Sequence, residues 1–489
     1  MESEAVRLAH HINGQEMQSE EWTPVRNPAD LQELVGYVGE GDQPQVMAAI
    51  QAACDAFPEW RRCTVEDRAD RLLQAVPLIE AAREELAELQ TREHGKVLEE
   101  SRRNLDTALH MLRYFADLSR EGFAWEWQES TERGTTRYIR QPVGVTAVIV
   151  PWNSPLTLGF LMLIPALLSG NPVVVKPSSL APLTLSRVLR MVAKGLPPGV
   201  LNVVTGAGRR VGLSLAQHSA VRRIAFTGST ETGRELMRVA ADRIADVSLE
   251  LGGNDPAIIL DDMPVTPALC RAISAGVFNA SGQICLNIKR IYVHERRYQE
   301  FVEAFRAETA TIRVGNGLHP DTGMGPVNNL DQMRRVEALV EEAAHQGATV
   351  YHSGTMSEWV THHEGYFLPP IIVTDVRPDA SLVAEEQFGP AIPVLPFRHW
   401  AEVQEWANGT EFGLCSSIWT PDVDRGLALA RELEAGTTFI NAHRAGASGV
   451  DQAFGGVKQS GLGRGHGRWA FEEATELHTL ISQDAPGAS

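Results

Sequence analysis

Between positions 145 and 241 apolar and polar residues fall into alternating short and long blocks. Val145-Thr-Ala-Val-Ile-Val150 is a brief apolar run closed by Pro151, which suits a buried strand. Positions 156–168 have helix length, and 172–176 form the next apolar run. The pattern continues with a helix over 183–193, a strand over 201–204 and a helix over 211–217. A strand over 223–226 and a helix over 231–241 complete it. Strands alternating with helices predict a parallel, doubly wound sheet, which binds ligands at the carboxyl ends of its strands. Asn153, Lys176, Gly206 and Gly228 fall at those ends.

Upstream, 42–118 is charged and helix-periodic (68–74, 79–93, 103–116) and is expected to cover that sheet. A stretch rich in β-formers, 135–140, reads as a hairpin arm between two domain-like regions. A second α/β region begins at Asn254, with a strand over 256–260 and helices over 265–278, 298–311 and 330–346. Positions 475–482 form a β-like piece outside any βαβ unit, and the chain shows no repeat and no low-complexity linker. The uncharged stretch 141–175 calls for a membrane check. Pro151, Pro155, Pro165, Gly170 and Pro172 break it into pieces too short to span a bilayer.

Composition narrows the function. At 489 residues, 43% hydrophobic and 22% charged, the chain is expected to fold into two or three globular domains. A net charge of −18 gives no general attraction to nucleic acid or anionic lipid, so neither is an expected partner. The five cysteines are odd in number and include no CxxC pair. With no basic, apolar leader after Met1, this reads as a reduced cytoplasmic protein with no structural metal site and free thiols.

One of those thiols has a candidate partner. Cys285 lies in Gly282-Gln-Ile-Cys285, and 35 positions upstream Glu250 lies in Glu250-Leu-Gly-Gly253. A thiol and a carboxylate in glycine-flanked turns suit a two-stage reaction: the thiol makes a covalent intermediate and the carboxylate activates the water that releases it. Phe226-Thr-Gly-Ser-Thr-Glu-Thr-Gly233 follows a strand and opens a helix, so its N–H groups and dipole are aimed to hold a pyrophosphate. Lys176, at the end of an apolar strand, either reaches solvent or meets ribose hydroxyls.

Seven segments together carry a resemblance to the aldehyde dehydrogenase superfamily. They are Pro151-Trp-Asn-Ser-Pro155, Lys176-Pro177, Phe226-Thr-Gly-Ser229, Glu250-Leu-Gly-Gly253, Gly282-Gln-Ile-Cys285, Glu385-Glu-Gln-Phe-Gly-Pro390 and Phe454-Gly-Gly-Val-Lys-Gln-Ser-Gly461, in the family's order along nearly the whole chain. The resemblance implies an α/β fold. A doubly wound, parallel-sheet cofactor domain (1–122 and 143–252) joins an α/β catalytic domain (253–453) and a small β oligomerisation arm (123–142 and 470–486). The arm would pair with a neighbouring subunit in a homodimer or homotetramer.

It further implies that Cys285 attacks an aldehyde, that Asn153 and the Cys285 backbone N–H hold the oxyanion, and that Glu250 activates the hydrolytic water. NAD or NADP would be bound by Lys176 and Ser229 at ribose and pyrophosphate and by Glu386 and Phe388 at the nicotinamide ribose. Trp152, Gly206, Phe226, Gly228 and Leu251 would line the cofactor side.

Departures from the family pattern refine this. Ser179 stands where many NAD-preferring relatives carry a Glu, and Arg209 and Arg210 follow Gly206-Ala-Gly208, so NADP use is expected alongside NAD. Ala453 and Gly465 replace a frequent Pro and a frequent Glu. Ser154, small beside Asn153, with Ile284 and Leu286 flanking the thiol, leaves room for a medium-sized or aromatic aldehyde. His443 and Arg444 fall in a stretch bordering the substrate entrance in relatives, where they would either meet a carboxylate or phenolate on the substrate or form an exposed loop pair. Two alternatives stand beside hydrolytic aldehyde oxidation: a CoA-acylating semialdehyde dehydrogenase and a catalytically silent paralogue. Glu250 argues against the first, and the retention of Cys285, Glu250 and Asn153 against the second.

Overall fold

The computed structural model describes residues 6–131, 134–443, 446 and 449–483. Five parallel strands form the centre of an eight-stranded sheet: Thr146–Ile149, Val173–Lys176, Leu201–Val203, Arg223–Thr227 and Asp246–Glu250. In space they run fifth, fourth, first, second, third. The order reverses between the first and fourth strands, and that crevice is where doubly wound sheets bind nucleotides. Ile149 pairs with Phe226 across it, so the turns that follow, 150–153 and 227–229, open side by side.

The alternating Val, Ala and Ile of these strands bury both faces. Val148, Val173 and Val175 pack with helices Leu98–Asp117, Pro155–Leu168 and Leu183–Ala193. Ala147, Ile149 and Val174 pack with Gln43–Trp60, Leu213–Gln217 and Thr230–Ala241. Side-chain caps set where several helices begin: Asp42 before Gln43, Ser229 before Thr230, Thr266 before Pro267 and Asn329 before Leu330. Each is worth about 1 kcal/mol.

Strands outside the predicted pattern extend the sheet. His10–Ile12 and Gln15–Met17 form a hairpin on one edge, and Gly461–Leu462 adds antiparallel to Asp246–Glu250 on the other. Each is three residues or fewer, too short for a period to show. A separate three-stranded sheet joins Val6–Leu8, Trp22–Asn27 and Asp30–Gly39.

The second sheet has seven strands in the order Thr349–His352, Ile371–Thr374, Ala391–Phe397, Ile288–His294, Asp255–Ile259, Cys415–Trp419, Thr437–Ile440. All neighbours are parallel except the first pair. Predicted helices appear as Pro267–Phe278, Glu295–Thr309 and Leu330–His345. The two β-like pieces meet: Thr475–Ser482 pairs antiparallel with Gly134–Pro142, which pairs with Glu126–Thr131. Positions 484–486 of the expected arm, and Arg444, lie outside the described residues.

Candidate active site

Cys285 follows a turn with an unusual backbone. After helix Pro267–Phe278 the chain passes through Ala280 (φ 49°), Ser281 (φ 56°) and Gly282 (φ 77°). Left-handed geometry costs an Ala or Ser about 1–2 kcal/mol. Surrounding hydrogen bonds hold it in place. The Ala280 N–H donates to Glu100 Oε1 at 2.8 Å, and Ser281 Oγ donates to the Gly325 carbonyl at 2.9 Å. Buried Lys289 Nζ donates to the carbonyls of Gly282 (3.2 Å) and Ile284 (2.6 Å).

Asn153 comes from the other sheet. Its Nδ2 donates to the Gln283 carbonyl at 3.1 Å, which fixes the amide beside the thiol and leaves its second N–H. Both residues line one cleft of about 590 Å³. Trp152, Gly228, Ser229 and Leu251 line it too, as do Glu386 and Phe388. Trp152 meets Phe388 edge-on at 5.6 Å, and Lys289 Nζ stands 5.3 Å from the Phe388 ring centre.

Desolvation dominates the electrostatics. Burial, with Glu386 and Glu250 nearby, pushes the Cys285 thiol up to about 12, although Lys289 opposes the shift. Glu250, whose Oε2 is buried without a hydrogen-bond partner, is raised to about 8 by burial; Arg464 works against this and Glu473 with it. Burial lifts Glu386 to about 7 against the pull of Lys289. Its Oε1 accepts from the Gly253 N–H at 3.1 Å, and a Cβ on Gly252 would sit 2.5 Å from its Oε2, so a side chain there would displace the carboxylate.

The residues fit a dinucleotide. The amino end of helix Thr230–Ala241 opens into the cleft through Gly228 and Ser229. Lys176, 5% exposed and lowered to about 8 by burial, has no side-chain hydrogen bond among the described residues. Ser179 Oγ donates to the Gly206 carbonyl at 3.0 Å, so these two close the neighbouring turn. Arg210 lies 3.5 Å from Glu21, and Arg209 is exposed. A carboxylate absent from the sequence reading, Glu40, accepts from the Ala207 N–H at 2.7 Å. Phe226 is buried under Gly228, where a Cβ would strike its ring at 2.4 Å; it forms the floor of the turn and does not line the cleft.

On the thiol's other flank, Leu286 packs with Leu414, Cys415, Phe439 and Phe454 in an apolar cluster, and Ile284 is buried. Ser154 Oγ accepts from Lys96 Nζ at 3.3 Å. His443 corrects an expectation: it is 1% exposed and does not border an entrance. The Trp419 indole N–H donates to Ser417 Oγ, so the Ser417 hydroxyl turns to His443 Nδ1 (2.8 Å) and leaves Nε2 facing Asp255 at 3.5 Å. Asp255 Oδ1 in turn accepts from the Cys415 N–H.

Lys289, Glu100 and Asp255 were missed in the sequence reading. Lys289 had a signal, as it and Arg290 interrupt an otherwise apolar strand whose residues 288–293 are all buried. Glu100 sits among ordinary polar residues and had none, and Asp255 stands at the start of an apolar strand where a turn acid is unremarkable. Among the described residues no group of three or more His, Cys, Asp or Glu is placed to hold a metal, and no helix is long and apolar enough to cross a membrane.

Residues 15–480 match the aldehyde dehydrogenase family. The chain is 37% identical to phenylacetaldehyde dehydrogenase of Pseudomonas fluorescens, over 98% of this chain and 97% of that one. It superposes with a TM-score of 0.92 on betaine aldehyde dehydrogenase of Staphylococcus aureus in complex with NAD+, at 31% identity over 97% of this chain and 94% of that one. An NADP-dependent enzyme of E. coli also gives 0.92, at 34% identity over 97% and 98%. A doubly wound sheet, a thiol at the mouth of its crevice and likeness along nearly the full length agree: the chain belongs to the aldehyde dehydrogenase family.

Proposed function

We propose that this NAD(P)-dependent aldehyde dehydrogenase works through Cys285 as nucleophile and Glu250 as base, on a medium-sized apolar or aromatic aldehyde. The observation that carries the reading is that Cys285 and Asn153, distant in sequence, line one cleft, with Glu250 near enough to raise the thiol. The thiol gives up its proton to solvent and the sulfur attacks the carbonyl carbon. The second Asn153 N–H and the Cys285 N–H stabilise the oxyanion of the thiohemiacetal. Lys176, Ser229 and Glu386 would hold the nicotinamide cofactor, which would supply the hydride acceptor. With the hydride gone, a thioester remains on Cys285. Ionised Glu250 takes a proton from water, the water oxygen adds to the acyl carbon, and the carboxylic acid leaves as the thiol is restored. A carboxylate close enough to raise the thiol, with a buried, unpartnered oxygen, favours water over CoA as acceptor.

The substrate reading rests on Leu286 and Phe454 beside the thiol and on the small Ser154; the phenylacetaldehyde dehydrogenase likeness agrees with it. Neutral Ser179 and exposed Arg209 favour acceptance of NADP alongside NAD. The arm's exposed apolar residues favour a homodimer or homotetramer, and five free cysteines suit a reducing cytoplasmic setting. The test is an aldehyde panel run with NAD and with NADP, following absorbance of the reduced nicotinamide. Phenylacetaldehyde and benzaldehyde are expected to exceed short polar aldehydes in kcat/KM. A preference for charged semialdehydes would overturn the substrate reading.

A further inference from the structure

The thiol and the oxyanion amide belong to different sheets, and one short segment touches the neighbourhoods of both. Helix Leu98–Asp117 starts beside the cleft, preceded by the turn 95–97. Its first turn carries Glu100, 8% exposed, and the preceding turn carries Lys96, 3% exposed. Glu100 spends Oε1 on the Ala280 N–H (2.8 Å) and Oε2 on the Val97 N–H (3.3 Å). Lys96 Nζ donates to Ser154 Oγ and Asn104 Oδ1, each at 3.3 Å, and Asn104 Nδ2 returns to the Glu100 carbonyl at 2.8 Å. Ser154 follows Asn153 and precedes helix Pro155–Leu168, yet its hydroxyl does not cap that helix. Ala280 opens the left-handed turn that leads to Cys285.

We propose that Glu100 and Lys96 are positioning residues that clamp the Cys285 loop to the segment carrying Asn153, holding thiol and oxyanion donor at working distance. The physical need is plain. A left-handed Ala280 followed by a left-handed Ser281 relaxes toward the ordinary helical or extended regions unless something holds its N–H. Glu100 is the group that does so across the domain boundary, and on its own side Asn104 and Lys96 tie its segment to Ser154. A buried carboxylate and ammonium four positions apart also offset each other's desolvation, so the clamp survives in an interior that would reject either charge alone. Displacement of the thiol by about 1 Å is enough to slow reaction by roughly 100-fold.

This inference rests on Cys285 being the nucleophile, and its test separates the two. Glu100→Asp keeps the charge but retracts the carboxylate by about 1.5 Å, out of reach of Ala280; Glu100→Gln keeps an oxygen at the original reach and loses the charge. For folded Glu100→Asp enzyme, alkylation of Cys285 by iodoacetamide and the pre-steady-state burst of reduced nicotinamide are expected to slow by roughly tenfold or more, with the Kd for NAD+ unmoved. Glu100→Gln is expected to recover most of both rates. Wild-type rates in Glu100→Asp, or equal loss in both variants, overturn the clamp. If Cys285→Ala retains turnover, the nucleophile reading falls and the clamp falls with it; if Cys285→Ala is dead and Glu100→Asp is unaffected, only the clamp falls.

Discussion

Glu250 near 8 and Cys285 near 12 leave the resting centre largely uncharged at neutral pH. In the proposed mechanism the thiol would lose its proton as it attacks, and the carboxylate would become a base only as pH rises through its raised value. The sign follows directly: a carboxyl pushed up to about 8 is mostly protonated at pH 7 and mostly ionised at pH 9. Hydrolysis of the acyl-enzyme is therefore expected to speed up roughly tenfold over that interval, and a flat single-turnover hydrolysis profile would remove Glu250 as the base. Glu250→Gln is expected to keep the first burst of reduced nicotinamide while steady turnover falls by about 100-fold or more; normal turnover would assign the base elsewhere. Cys285→Ala is expected to abolish oxidation of every aldehyde, by more than ~1000-fold, with cofactor binding intact.

Turns at the strand ends decide what the cleft accepts. Ser179 is tied to the Gly206 carbonyl, and Glu40 holds the next N–H of that turn, so the site has one carboxylate near it already and a neutral residue where a second would stand. Ser179→Glu would set a fixed negative charge against a 2′-phosphate. In this partly exposed setting the repulsion is worth about 1–2 kcal/mol, roughly a tenfold or greater rise in the Kd for NADP. Measured by titration of protein fluorescence, NAD binding is expected to change far less; equal changes for both cofactors would show that the 2′-position does not face Ser179.

Across the whole molecule, the three-stranded arm leaves Leu477 49%, Leu480 41% and Ile481 71% exposed on one strand. A protruding strand with apolar side chains is an unpaired surface that a second copy of the chain would cover. Leu477→Lys together with Ile481→Lys is expected to shift the species seen by analytical ultracentrifugation to lower mass, with the thermal midpoint of the remaining fold little changed. An unaltered mass would show that the arm is not the contact.

The sequence by itself determined the parallel character of the first sheet and located four of its five central strands with the helices between them, because buried strands must be apolar and the Gly and Pro that end them are visible in the chain; Asp246–Glu250 and all but one strand of the second sheet were not located. It also pointed to Cys285, Glu250 and Asn153, since motif order and glycine spacing are local properties. Three things only the tertiary structure decided. Short edge strands such as Gly461–Leu462 take their pairing from a partner some 210 positions away and carry no period of their own. His443 was read from its neighbours as an entrance residue, but Ser417, Trp419 and Asp255 enclose it, and none is adjacent to it in the chain. Glu100 looks like a surface charge until the fold buries it under the Cys285 loop. Burial, and with it the cost of a charge and the need for a partner, arises between elements, and no window along the chain contains it.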